Sequence, residues 1–144
     1  KDKQVMYELD NARVDLFLKE VICFKITDSI LERIKEVHEF GNLIVKVVAP
    51  EDIILLKCAT ERKKDRYDAL ELIKRFNINW KTIIKESEHQ TEIGEDVFPV
   101  YLYDFLMELK EDMKAEVPDH VLKEIRKIGE RRMEEVLKRG KKQD

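Results

Sequence analysis

The chain has 144 residues, 43% of them hydrophobic and 41% charged, with a formal net charge of −3. A chain near this length forms one domain with a sizeable core, burying about 70% of the surface its unfolded form exposes. No apolar run approaches the roughly 18 residues of a membrane span, and so balanced a charge excludes a protein that holds nucleic acid by bulk electrostatics alone.

No basic N-terminal segment is followed by a small-residue cleavage site, and the only two cysteines, Cys23 and Cys58, stand among apolar neighbours. They read as buried small hydrophobes rather than as a disulfide or a metal site, which points to a reducing cytoplasm. Abundant Lys, Glu and Ile beside few Gln, Gly and Pro lean toward a thermophilic source.

In chain order, Val5 to Leu9 and Arg13 to Leu18 are rich in strand formers and are separated by Asp10, Asn11 and Ala12, which predicts a hairpin. Asp15 is the only acid among Val14, Leu16, Phe17 and Leu18, and an acid in an otherwise apolar strand marks a site or a paired charge. Strand alternation places Asp15 with Arg13 and Phe17, leaving Val14, Leu16 and Leu18 as a face for helices to cover. Thr27 or Asp28 caps a helix carrying Ile30, Leu31, Ile34 and Val37, which Gly41 and Asn42 close. Leu43 to Val48 is a third strand. Pro50 at a first helical position, followed by Glu51 and Asp52, opens a helix that reaches Thr60.

Lys57 interrupts that apolar helix. On the next one, Ala69, Leu72, Ile73 and Phe76 form an apolar arc that takes in Asp65 and borders Asp68. A solvated pair of aspartates would lie opposite such an arc. Burying an unpartnered carboxylate costs several kcal/mol, roughly, so these aspartates need cations, and Lys57 and Arg62 are the nearest along the chain.

Further on, Asn79 caps a short helix with Trp80, Ile83 and Ile84, and the polar segment Ser87 to Asp96 reads as a loop. Leu102, Phe105, Leu106, Leu109 and Met113, then Leu122, Ile125, Met133 and Val136 after Pro118, recur at helical spacing and predict a closing helical hairpin. The organisation is therefore α+β, with residues 1–96 as one unit and 97–144 as a helical hairpin packed on it. The basic residues between Arg126 and Lys142 suit the C-terminal end of a solvated helix, the alternative being contact with RNA or an acidic partner. His38, His89 and His120 are isolated, no nucleophile turn occurs, and the four glycines never cluster into a phosphate loop.

A strand, Pro50-Glu51-Asp52, an apolar helix with Lys57, Arg62 five residues on, then Lys64-Asp65 and Asp68 before Leu72-Ile73 together resemble a motif of the nucleotidyltransferase-like proteins related to the AbiEii and MenT toxins. Arg13 to Phe17, RVDLF, resembles the later catalytic strand of nucleotidyltransferases, whose carboxylate joins an earlier Asp-x-Asp pair in holding magnesium. The likeness covers roughly residues 5 to 90. It implies a nucleotidyltransferase-like fold with a small mixed sheet of about three strands, Mg2+ as cofactor with Asp15 as a metal ligand, and Lys57 and Arg62 on the nucleotide. By the same likeness Lys57, Asp65 and Asp68 are catalytic: Lys57 neutralises phosphate charge, and the aspartates orient the cations or act as base. The substrate would be a nucleoside triphosphate and the acceptor a hydroxyl of RNA or protein. The family's Gly-Ser turn and Asp-x-Asp pair do not occur in this sequence. The expectation is that they belong to a longer protein or that the catalytic half is absent, so that this chain alone is inactive. The alternative function is a non-catalytic scaffold that binds protein or RNA.

Overall fold

A computed structural model describes residues 5–60 and 62–140. Strands β1 (Val5–Leu9) and β2 (Ala12–Leu16) pair antiparallel, Met6 opposite Asp15 and Tyr7 opposite Val14. Asp10 turns this hairpin at a φ of 53°, a left-handed conformation that Asp tolerates and that a two-residue turn requires. Two short strands, β3 (Glu20–Val21) and β4 (Phe24–Lys25), and a short helix α1 (Asp28–Glu32) follow. Then β5 (Glu36–Phe40) and β6 (Leu43–Val47) form a second long hairpin with His38 opposite Val45.

The α+β class is as the sequence implies, and the strands pair in three separate two-stranded antiparallel sheets. The helix expected to run from Thr27 to Gly41 stops at Glu32, and Val37 lies in β5. Gly41-Asn42 suits a two-residue hairpin turn as well as a helix end, and here Gly41 takes a φ of 60° between two strands. The outcome at β2 also departs from expectation. Among the described residues no helix covers the face of Val14 and Leu16; both side chains are exposed together with Tyr7, as is Leu18 beyond the strand, while Asp15 on the opposite face is the half-buried one. Asp15 stands 3.7 Å from the Arg62 guanidinium, so the side of the hairpin that carries it is the one facing Arg62.

The helices make the core. They are α2 (Pro50–Cys58), α3 (Lys63–Arg75), α4 (Trp80–Glu92), α5 (Phe98–Glu111) and α6 (Asp119–Gly140). Ile54 and Leu55 from α2, Ile83 from α4, Leu102, Leu106 and Leu109 from α5 and Ile125 from α6 are fully enclosed. The closing pair α5 and α6 pack on each other and on α4. Phe24 enters this core from β4 and meets Phe98, ring centres 4.9 Å apart.

Ser87 to Glu92, expected in a loop, continues α4. Glu86 and Gln90 are buried because they are bonded inward, whereas the buried Ser87 hydroxyl has no hydrogen-bond partner among the described residues. The Gln90 amide accepts from the Lys25 backbone N–H and donates to its carbonyl, both at 2.9 Å, so that it stands in for a neighbouring strand. Glu86, 2% exposed, accepts from Thr27, Ser29, Gln90 and Arg33. The Arg33 guanidinium also grips Asp52, fully buried in the first turn of α2, at 2.5 and 3.0 Å. One guanidinium thus joins α1's C-terminal end to α2 and α4. Burial pushes the Asp52 carboxyl up despite Arg33, whereas at Glu86 the hydrogen bonds outweigh burial and hold the carboxyl below its ordinary value.

Removing Arg33 leaves two buried carboxylates without their cation. Arg33→Met should cost about 3 kcal/mol or more of unfolding free energy in urea at neutral pH; a loss under about 1 kcal/mol would show that these carboxylates do not depend on Arg33 for their burial.

Candidate functional site

The junction between α2 and α3 brings together the four charged residues picked out by the helical arc. Lys57 lies in the last turn of α2, where a cation suits the negative end of the helix dipole. Asp65 lies in the first turn of α3, where an anion suits the positive end. The two termini therefore face each other with complementary charges. Lys57 Nζ donates to Asp65 Oδ1 at 2.6 Å and to Asp68 Oδ2 at 2.7 Å. Arg62, the residue that precedes α3, donates through Nε to Asp65 Oδ2 at 2.8 Å and through Nη2 to Oδ1 at 3.4 Å, a forked contact. Its Nη1 stands 3.7 Å from Asp15 Oδ2.

Asp65 is 1% exposed and is the hub. Besides the two cations it accepts a short hydrogen bond from the Thr60 hydroxyl. Burial pushes its carboxyl up, but Lys57, Thr60 and Arg62 together outweigh burial and lower the pKa to about 2. At Lys57 burial acts downward, and the two aspartates outweigh it to raise the ammonium above its ordinary value. Thr60 is the member that sequence reasoning missed. Its signal was its place three residues past Lys57, between the two helices, where a hydroxyl can serve the facing backbone and side chains.

Asp15 meets the cluster at Arg62. Among the described residues no group of three or more His, Cys, Asp or Glu is placed to hold a metal ion. Nor, among the described residues, is any helix long and apolar enough to cross a membrane.

A family model described as nucleotidyl transferase of unknown function (DUF2204) matches residues 4–139. The chain belongs to this family. The match to the nucleotidyl transferase family takes in the Asp15 hairpin, the α2–α3 junction and nearly all of α6. No curated protein and no solved structure matches the chain.

The folded pKa of Asp65 lies below the ordinary 3.8, so its contribution to stability is complete above that value and is lost as the pH falls toward 2. The raised Lys57 works in the other direction: its contribution is complete below 10.5 and lost as the pH rises beyond it. Asp65→Asn should therefore cost roughly 2 kcal/mol at neutral pH, the scale of hydrogen bonds to charged groups. In urea titrations the gap between wild type and variant should close as the pH is lowered from about 4 toward 2; equal stability at pH 7 would show that the carboxylate holds nothing.

Proposed function

We propose that the protein takes part in transferring a nucleotide from a magnesium-bound nucleoside triphosphate to a hydroxyl of RNA or protein, and that the α2–α3 junction meets the triphosphate. The observation that carries this reading is the pairing of Lys57 and Arg62 on one buried carboxylate, with Arg62 still 59% exposed to solvent. An ammonium has three N–H donors and a guanidinium five. The carboxylates around Lys57 and Arg62 accept some of these donors, and those that remain suit phosphate oxygens. Asp65 holds the two cations so that little ordering is left for the moment of binding.

The three carboxylates Asp15, Asp65 and Asp68 outnumber the two cations Lys57 and Arg62 by one. A bare triphosphate would meet a net negative cluster, and a triphosphate carrying its own divalent cation is better matched. Magnesium is on this reading part of the substrate. With a pKa near 2, Asp65 stays ionised and saturated at neutral pH and serves as a positioning group rather than a base. Asp68, with a side chain 38% exposed and one hydrogen bond to Lys57, is the carboxylate open to an acceptor hydroxyl. Kinship with the AbiEii and MenT toxins is part of the same proposal, carried by the Lys57, Arg62, Asp65 and Asp68 pattern.

A second reading, a binding scaffold without catalysis, is favoured by the absence of a Gly-Ser turn and an Asp-x-Asp pair from the sequence, because one carboxylate cannot supply what two-metal phosphoryl chemistry uses. The two readings part on binding. The 144-residue chain should bind magnesium–nucleoside triphosphate weakly, Lys57→Met and Arg62→Met should each weaken that binding about tenfold, and labelled triphosphates incubated with it and total RNA should stay unincorporated. Asp15→Asn should change stability by less than about 1 kcal/mol, since asparagine keeps the shape and Arg62 keeps its bonds to Asp65. No binding by the wild type would sink the nucleotide reading in favour of the scaffold, and label transfer abolished by Asp15→Asn would show the chain to be catalytic on its own.

A further inference from the structure

The residue after Asp65 points away from the carboxylate hub, yet it reaches the same junction from the other side. Arg66 donates through Nη1 to the Thr60 carbonyl at 3.1 Å and to the Arg62 carbonyl at 3.4 Å. Its Nε donates to Glu108 Oε2 at 2.8 Å, and its guanidinium carbon lies 5.5 Å from the centre of the Phe105 ring. Glu108 and Phe105 are three residues apart on α5, so they form one neighbouring pair on that helix. The Arg66 side chain is only 19% exposed.

We infer that Arg66 is a positioning residue for the Lys57–Arg62 site: held on α5 by Glu108 and Phe105, it fixes the backbone at Thr60 and Arg62 and so sets where the Arg62 guanidinium stands. The contacts divide the work. Thr60 and Arg62 bond Asp65 through their side chains, while both give their carbonyls to Arg66. The α2–α3 connection is therefore clamped on its side-chain face by an anion and on its backbone face by a cation. The outer clamp is anchored to α5, which makes that helix part of the site's support.

Only a guanidinium meets all three partners. Its planar fork sends Nε to a carboxylate and Nη1 to backbone carbonyls while its face lies on a ring, and a lysine ammonium at the end of a flexible stem has no such fixed divergence. Arg66→Lys keeps the charge and the Glu108 attraction and still loses the geometry. That separates positioning from simple charge balance.

The role rests on the proposed nucleotide site, and the experiment separates the two. In the full chain, the Arg62 Nε–H resonance reports the bond to Asp65, and titration with magnesium–ATP, repeated with the other three nucleotides, reports the site. In Arg66→Lys and Arg66→Met the Arg62 Nε–H signal should lose its protection from exchange, and nucleotide affinity should fall about tenfold, with the Arg66→Lys unfolding midpoint near that of wild type. Glu108→Gln, at a partly exposed position, should move both readouts in the same direction by about threefold. An Arg62 signal unchanged in all three variants would overturn the inference, as would full rescue of both readouts by Arg66→Lys. If the wild type binds no nucleotide, the functional reading fails, and the Arg62 signal still decides the role of Arg66.

Discussion

A single buried carboxylate, Asp65, holds the α2–α3 junction together. Taking it out of water costs several kcal/mol in effective terms, and three donors from three different positions offset that cost: Lys57 from the end of α2, Thr60 from the connection and Arg62 from the start of α3. The same bonds that make burial tolerable fix both cations. Structure and candidate function are therefore two consequences of one desolvated charge.

Helix α2 is held in this way at both of its ends. At its start Asp52 is buried against Arg33, which also binds Glu86 of α4. At its end Lys57 is tied to α3 through Asp65 and Asp68. Between these two ion networks Ile54 and Leu55 fill the core with no exposed surface. Apolar packing is non-directional and would tolerate rotation or sliding of so short a helix, whereas two charged networks that must both be satisfied set its rotation and height. Arg66, anchored on α5, adds a third fixed point beside the second network.

The charge cluster was legible in the sequence because it broke a pattern: Asp65 falls within an apolar arc, and only a nearby cation makes such a placement affordable. Thr60 was not, since a threonine after a helix has many local uses. The Arg33, Asp52 and Glu86 network was hidden for the opposite reason. Polar residues from Ser87 to Thr91 read as solvent-facing, and nothing local shows that Glu86 and Gln90, four residues apart on one face, turn toward α1 and β4. The stretch around Val37 failed because Ile30, Ile34 and Val37 satisfy a helical spacing while Val37, Phe40, Ile44, Val45 and Val47 are strand formers set about Gly41-Asn42, a two-residue hairpin signal; the pairing of β5 with β6 took the strand. The outward apolar face of Val14 and Leu16 was beyond a pattern argument, which assigns faces to an element without saying which one its neighbours will meet.

The most direct measurement is the titration of the Asp65 carboxyl itself, followed by carbon NMR of the intact chain from neutral pH into acid. A carboxylate that accepts from Lys57, Thr60 and Arg62 at once should remain ionised until the pH approaches about 2. A midpoint at or above the ordinary 3.8 would show that burial outweighs the donors, and the account of this junction as a preorganised pair of cations would be wrong.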